Sequence, residues 1–264
     1  MRAQCGAAAA EPSEPSDPPA KGLPTHRDAA THRRITSFRT RRSTLSSVQQ
    51  RTWQRLWAVY GLDAPHFGDA DGKTAAETPN TDAWFGRVAP VVLEIGCGAG
   101  TSTLAMAQTE PDVNVVAVDV YRRGLAQLLC ALEREDVANV RLIRGDAVDV
   151  LEHLIPSGSL TGVRIFFPDP WPKTRHHKRR LLQPSTMNLI ATRLRSGGVV
   201  HVATDHAGYA DHIAATGDGE PRLRRLDPDR QPVISVTRPT TKYETKARQA
   251  GSIVTELLWE KCGP

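Results

Sequence analysis

From residue 88 onward, apolar and polar positions follow two alternating patterns along the chain. Short runs rich in Val and Ile are each followed by a stretch with apolar residues at helical spacing. The strand-like runs lie at 91–95, 115–120, 140–145, 163–167 and 199–204, and the helical stretches lie near 101–109, 122–135, 147–155, 184–195 and 206–216. Nearly continuous apolar strands separated by helices predict a parallel sheet covered on both faces. Because crossovers are right-handed, we expect a doubly wound α/β fold.

The end of the chain departs from this rhythm. Three further strand-like runs, at 222–226, 232–237 and 252–261, have no long helix between them. Strands connected without helices pair antiparallel. We therefore expect a mostly parallel sheet with an antiparallel C-terminal edge.

The first sixty residues differ in composition from the rest. Residues 1–30 are rich in Ala, Pro and Ser, which predicts a disordered extension. Residues 31–47 contain five arginines and no acid, as in a soluble tail or in an arm that lies along phosphates. A helix is predicted within 46–62, with Ser46 or Ser47 as its cap. The predicted division is thus 1–30, a basic arm and helix at 31–62, and the main domain at 63–264.

Charge and cysteine content narrow the class of protein. The net charge of +5 mildly favours a polyanionic partner. The four cysteines form no CxxC pair, which argues against a disulfide framework and a zinc site and suits a reducing cytosol. No run of 18 apolar residues and no signal-peptide core is present. We expect a soluble, cytoplasmic protein without a metal.

A glycine-rich turn follows the first strand of the sheet. The strand contains Glu94, and glycines follow at alternate positions: Gly96, Gly98 and Gly100. A dinucleotide fingerprint would need Gly or Ala at position 101, where Thr101 stands. Glu94 would repel a pyrophosphate but could receive a cationic amino group. This ExGxGxG pattern resembles that of S-adenosyl-L-methionine-dependent methyltransferases and favours that cofactor over NAD; a tight turn without a ligand is the alternative.

Acidic residues also end the next two strands. Asp119 could accept both hydroxyls of a ribose, and Asp146 could accept from an adenine amino group. Either residue could instead cap the helix that follows it. Three acids at consecutive strand tips around a glycine turn nevertheless favour a nucleoside cofactor.

The fourth strand runs into FFPDPWPKTRHHKRR at 166–180. Pro168 and Pro170 stiffen the chain on both sides of Asp169 and fix where its carboxylate points. Trp171 could stack on a target base or pack under its own loop. The basic side chains from Lys173 onward could neutralise RNA phosphates, or they could belong to the solvated start of a helix.

These motifs resemble those of the bacterial tRNA (guanine-N7-)-methyltransferases, class I enzymes with a Rossmann-like fold, and the resemblance implies a doubly wound, mostly parallel, seven-stranded sheet. The resemblance covers about residues 34–260 and rests on RITSFRTRR, LEIGCGAG, FFPDPW with the following basic run, HVATD at 201–205 and RPTTKYE at 238–244. Asp119 stands where relatives often carry glutamate.

The resemblance implies transfer of a methyl group from S-adenosyl-L-methionine to guanine N7 in tRNA. It implies cofactor contacts from Glu94, Gly96, Gly98, Gly100, Asp119, Asp146 and Asp169. Asp169 is the candidate catalytic residue, on the guanine edge or on the amino group of the cofactor, with Asp205 and Glu244 as alternatives for the guanine edge. It implies substrate contacts from Lys173, Asp205, Thr241, Lys242, Tyr243 and Glu244, and RNA contacts from Arg175, His176, His177, Lys178, Arg179 and Arg180. A methyltransferase for another RNA position and a catalytically silent RNA-binding subunit are the alternatives, and both a monomer and a homodimer remain open.

Overall fold

The computed structural model describes residue 36 and residues 44–64, 78–227, 231–240, 244–245, 251 and 253–263. The predicted extension at 1–30 and nearly all of the arginine-rich arm lie outside these residues. The described residues belong to one unit that begins at Arg34.

The described elements alternate as the apolar pattern predicts. The helices are α1 (Ser47–Tyr60), α2 (Thr81–Phe85), α3 (Thr101–Thr109), α4 (Arg122–Arg134), α5 (Ala147–His153), α6 (Pro184–Arg193) and α7 (Ala207–Asp218). The strands are β1 (Gly61–Asp63), β2 (Val91–Ile95), β3 (Asn114–Asp119), β4 (Val140–Arg144), β5 (Leu160–Phe166), β6 (Leu194–Thr204), β7 (Leu223–Arg225) and β8 (Thr255–Lys261). A short 3₁₀ helix covers Thr174–Arg179.

The strands form one eight-stranded sheet in the order β1-β4-β3-β2-β5-β6-β8-β7. Pairings from β1 through β6 are parallel, and β8 pairs antiparallel with both β6 and β7. The mostly parallel α/β fold with an antiparallel C-terminal edge is therefore confirmed. All five residues of β2 are buried, as expected for a strand covered on both faces.

Two details differ from the predicted sheet. The three-residue strand β1 adds an eighth strand beside β4, and the expected boundary at residue 62 falls inside it. The predicted strand at 232–237 is wrong, because this segment forms no ladder. It instead crosses one sheet face: a Cβ on Gly162 of β5 would lie 2.3 Å from the side chain of Ile234. We call residues 231–238 the strap.

Candidate active site

The order of the strands creates a crevice between β2 and β5. The chain adds β3 and β4 on one side of β2, then crosses to the other side to form β5 and β6. Open α/β sheets bind ligands at such a switch point, outside the carboxyl ends of the strands. The turn at 96–100, here the glycine loop, follows β2. The turn at 167–171, here the aspartate loop, follows β5, so both reach the same crevice.

The glycine loop has a backbone that few other residues could adopt. Gly96 and Gly98 have φ angles of +77° and +57°, in the left-handed region. A Cβ at either position would meet nothing within 4 Å, so the backbone faces open space there. A ligand can therefore approach the main chain closely at both positions.

Glu94 lies beneath this loop with its carboxyl group almost wholly buried. The residue is 3% exposed, and its Oε2 atom finds no hydrogen-bond partner among the described residues. Burial raises the pKa of Glu94 to about 7, although the Thr103 hydroxyl and the Arg164 guanidinium act in the opposite direction. A buried carboxylate with an unpaired acceptor disfavours its own charge unless a cation arrives.

The acids at the tips of β3 and β4 have local partners. Asp119 accepts hydrogen bonds from the backbone N–H groups of Gly98 and Tyr121, each at 2.8 Å. Asp146 caps α5 by accepting from Val148 N at 2.9 Å. Each carboxylate oxygen has two lone pairs, so these bonds leave acceptor capacity. The sequence pattern did not indicate that Asp119 also fixes the glycine loop.

The aspartate loop contains two strained residues. Phe167 has φ +52° and Trp171 has φ +44°, a left-handed conformation that is uncommon for bulky side chains. Left-handed conformations of such residues cost of order 1–3 kcal/mol each and persist only where the surroundings enforce them. Pro168, Asp169 and Pro170 stand between these two residues.

Neighbouring elements hold both ends of this loop. Phe167 N donates to Ala203 O of β6 at 2.8 Å, which extends the β5–β6 ladder by one residue. Arg180 Nε donates to Pro170 O at 3.0 Å. The half-buried Asp169 is thus carried at the crevice by a loop whose ends are fixed.

Trp171 packs under its own loop. It is 6% exposed, its ring centroid lies 5.8 Å from that of His176, and the Arg179 guanidinium carbon lies 4.9 Å from it. Of the two possibilities left open by the sequence, this structure shows the packed one.

The basic run at 173–180, here the basic segment, divides by exposure. Lys173, Arg175 and Lys178 are exposed, whereas His176, His177 and Arg179 are half-buried. Arg180 is 4% exposed and donates to Pro170 O and, at 3.2 Å, to Gly208 O. Arg180 therefore braces the aspartate loop and does not share the surface with the other cations.

The remaining predicted substrate residues are placed differently from one another. Asp205 directly follows β6 and is exposed, at the same sheet edge as the acids of β3 and β4. Glu244 is 1% exposed and forms an ion pair with Arg238. Thr241, Lys242 and Tyr243 lie outside the described residues.

A polar network of two buried side chains and the exposed Glu256 lies behind the aspartate loop and was not assigned from the sequence. Arg238 Nε lies 2.9 Å from Glu256 Oε1, and Glu256 Oε2 lies 2.9 Å from His201 Nε2. Arg238 is the first residue of the RPTTKYE motif, and its place in that motif was the one feature of the sequence that could have marked it as a functional residue. No sequence spacing indicated its partners on β6 and β8, because the sheet brings them together.

Membrane-spanning and metal-binding features are absent from the described part of the chain. No helix there is long and apolar enough to cross a membrane. No group of three His, Cys, Asp or Glu side chains within those residues is arranged to hold a metal ion.

Comparison with known proteins identifies the family. A family model described as a putative methyltransferase matches residues 88–257. The tRNA (guanine-N(7)-)-methyltransferase of Mycobacterium avium (strain 104) is 68% identical over 225 residues, which cover 85% of this chain and 86% of that protein. The protein of the same name from Mycolicibacterium gilvum (strain PYR-GCK) is 62% identical over 97% of this chain and 95% of its own length. That from Mycobacterium leprae (strain Br4923) is 60% identical over 88% of this chain and 99% of its own length. The resemblance inferred from the motifs is confirmed, and the chain belongs to the tRNA (guanine-N(7)-)-methyltransferase family.

Proposed function

We propose that this protein transfers a methyl group from S-adenosylmethionine to N7 of an exposed guanine in tRNA, which yields 7-methylguanosine. The observation that carries the proposal is the crevice between β2 and β5. It joins an open glycine loop and a buried carboxylate with one unpaired oxygen to a rigid aspartate loop beside exposed cations. The same proposal places the protein in the cytoplasm with its tRNA substrate.

The residues on the β2, β3 and β4 side of the crevice fit this cofactor. Glu94 offers its unpaired Oε2 to a cationic amino group, and the open backbone at Gly96 and Gly98 allows close approach. Asp119 and Asp146 keep acceptor capacity for ribose hydroxyls and an adenine amino group. The bound cofactor supplies an electrophilic sulfonium methyl group.

The acceptor side needs little acid–base chemistry. Guanine N7 has an exposed lone pair and no proton, so no general base has to remove one. The contribution of the protein is then positioning and electrostatics. We assign Asp169 to this task, accepting from guanine N1–H and the 2-amino group or from the amino group of the cofactor.

Other residues would complete the guanine and RNA contacts. Asp205 and Glu244 are the alternatives for the guanine edge, with Lys173 and Thr241–Tyr243 as further substrate contacts. The exposed cations of the basic segment would lie along phosphates. A stacked guanine in an A-form helix is hard to reach, so the target must be presented in an open part of the RNA.

The direct test is transfer of a radiolabelled methyl group to unmodified tRNA, followed by nucleoside analysis. We expect 7-methylguanosine from the wild type and a loss of at least a hundredfold in Asp169→Ala, with tRNA affinity changed by less than a few-fold. Asp112→Ala is the matched control, because Asp112 is an exposed aspartate just before the amino end of β3.

Three results would overturn parts of this assignment. A different methylated nucleoside would refute the assigned atom. Tight tRNA binding without any transfer would favour the silent RNA-binding subunit. Nearly wild-type turnover of Asp169→Ala would remove Asp169 from its role while leaving the activity in place.

A further inference from the structure

A row of polar side chains crosses the sheet face that the strap covers. Glu94, Arg164 and His201 are neighbours in register on β2, β5 and β6, so their side chains lie on one face. Two residues further along the strands, the same face carries Phe166 and Ala203, directly before the aspartate loop.

The strap is fixed to this face by buried anchors. Ser235 N donates to Glu110 Oε1 at 2.7 Å, and Ser235 O accepts from Arg164 Nη2 at 3.0 Å. Arg164 Nη2 also lies 2.6 Å from Glu110 Oε2, and the Arg164 side chain is fully buried. The backbone before residue 238 is therefore held in place by contacts that do not involve residue 238 itself.

Arg238 lies where the strap reaches the carboxyl end of β5. Its side chain is 3% exposed and is in ion-pair contact with Glu244 and Glu256. Its guanidinium carbon lies 5.1 Å from the ring centroid of Phe167 and 5.8 Å from that of Phe166. One cation thus contacts a predicted substrate residue, a strand of the sheet and the strained start of the aspartate loop.

We propose that Arg238 is a positioning residue for methyl transfer, which orients the Glu244 carboxylate and braces Phe167 at the start of the aspartate loop that carries Asp169. This inference rests on the proposed function. The planar fork of arginine can engage two carboxylates and stack on an aromatic ring at the same time, which lysine cannot reproduce.

The charges around Arg238 are arranged for this role. Its two acidic partners outnumber it, and Glu256 has a second hydrogen-bonding partner in His201, whose ring meets Phe166 edge-on at a centroid distance of 4.9 Å. The hydrogen bond from His201 and the charge of Arg238 lower the pKa of Glu256, although burial opposes this shift. Removal of Arg238 would therefore take the cation away from both carboxylates, of which Glu244 is the more deeply buried.

The test compares Arg238→Met and Arg238→Lys with a control on the edge strand β7. Arg225→Met is a matched change, since Arg225 also pairs with a carboxylate, Asp218, and lies 4.5 Å over the ring of Trp259. Measurements are kcat and KM with tRNA, the Kd of S-adenosylhomocysteine by calorimetry, and the melting temperature. All are made on the full chain.

We expect Arg238→Met to lower kcat at least tenfold, with KM for tRNA and the Kd of S-adenosylhomocysteine within about threefold of wild type. Arg238→Lys should recover part of kcat, because it keeps the charge between the carboxylates. Arg225→Met should leave kcat within twofold even where its melting temperature falls.

The inference is overturned if Arg238→Met keeps kcat within twofold, if Arg225→Met loses as much, or if Lys restores nothing. If Arg238→Met does not fold, Glu244→Gln and Arg238→Lys test the inference instead. Both variants must then lower kcat without changing the binding of S-adenosylhomocysteine. Absence of 7-methylguanosine from the wild type would instead refute the proposed function, so the two failures are distinguishable.

Discussion

Among single residues, Glu94 has the clearest consequence for stability. Its carboxyl group is almost fully buried, and burial raises its pKa to about 7 from an ordinary value of 4.5. At pH values between these two pKa values, Glu94 keeps its proton in the folded protein but loses it in the unfolded chain. The free energy of unfolding therefore falls as pH rises through this window, by roughly 3 kcal/mol at most.

Glu94→Gln removes this titration, so the variant should keep the stability that the wild type loses. In thermal unfolding of the ligand-free protein, we expect the two proteins to diverge between pH 4.5 and 7. The expected divergence is up to about 6–12 °C, taking 2–4 °C per kcal/mol for a domain of this size. Glu152→Gln is the control, because Glu152 lies on α5 with its side chain 47% exposed. Parallel pH profiles for wild type and Glu94→Gln would show that Glu94 titrates normally.

Asp119 illustrates how much of a residue's role the sequence can indicate. Its position at a strand tip predicted a polar contact with a ligand, and that assignment stays a prediction. Its bond to Gly98 N was not predictable, because it depends on how the glycine loop folds back over β3. A local pattern indicates which residues reach an edge of a sheet, but not which backbone groups meet them there.

Among the elements, the basic segment combines two kinds of cation. Lys173, Arg175 and Lys178 are exposed, and Arg179 is half-buried over Trp171, whereas Arg180 is buried and bonded to backbone carbonyls. The sequence could not separate them. Adjacent residues of a 3₁₀ helix point in different directions, and which of them face solvent is decided only when the helix packs against the rest of the protein.

The division predicts different effects of substitution on tRNA binding. The triple variant Arg175→Gln, Lys178→Gln, Arg179→Gln should weaken binding and lower the slope of log K against log salt by about 2–3, near one for each phosphate that is no longer neutralised. Arg180→Gln should leave that slope unchanged but lower the melting temperature and kcat, because it releases Pro170. The measurement is filter binding or fluorescence anisotropy over a salt series. An unchanged slope in the triple variant would place the RNA path elsewhere.

The strap shows where element prediction fails and why. PVISVT at 232–237 has the β-branched composition of a strand, yet it is held by Ile234 against Gly162 and by the bonds of Ser235 to Glu110 and Arg164. Apolar, β-branched residues suit any buried extended segment, whether or not a neighbouring strand is free to pair. In this sheet β8 already occupies the edge beside β6, so no ladder position remains for the strap there.

At the scale of the whole molecule, topology explains why scattered motifs form one site. Five neighbouring strands, in the order β4, β3, β2, β5 and β6, end at the same edge, and each leads into or contains one of the predicted acids. That much follows from a parallel, doubly wound sheet and was predictable from strand and helix spacing. The arrival of Arg238 and Glu244 from the far end of the chain was not, because it depends on the irregular path of the strap.

The whole-molecule arrangement also predicts a proton linked to cofactor binding. In the free protein Glu94 holds a proton below about pH 7, and a cationic amino group beside its unpaired Oε2 would favour the carboxylate. Binding of S-adenosylhomocysteine at about pH 6 should therefore release close to one proton, about 0.9 for a pKa of about 7. Release should decline as pH rises further, since Glu94 is then already ionised before the ligand arrives.

Calorimetry measures this release directly, because the binding enthalpy in buffers of different ionisation enthalpy varies in proportion to the protons exchanged. Glu94→Gln should bind with heats that no longer depend on the buffer in this pH range, and the Glu152→Gln control should behave as the wild type. Equal heats in both buffers for the wild type would contradict the pairing of Glu94 with the amino group. Release that persists in Glu94→Gln would assign the proton to another group at the crevice. Release of a proton by the wild type but not by Glu94→Gln would connect the residue with the whole molecule. The buried charge that lowers stability in the free protein would then be the one that the ligand neutralises. Saturating ligand should therefore stabilise the wild type more strongly at high pH than at low pH.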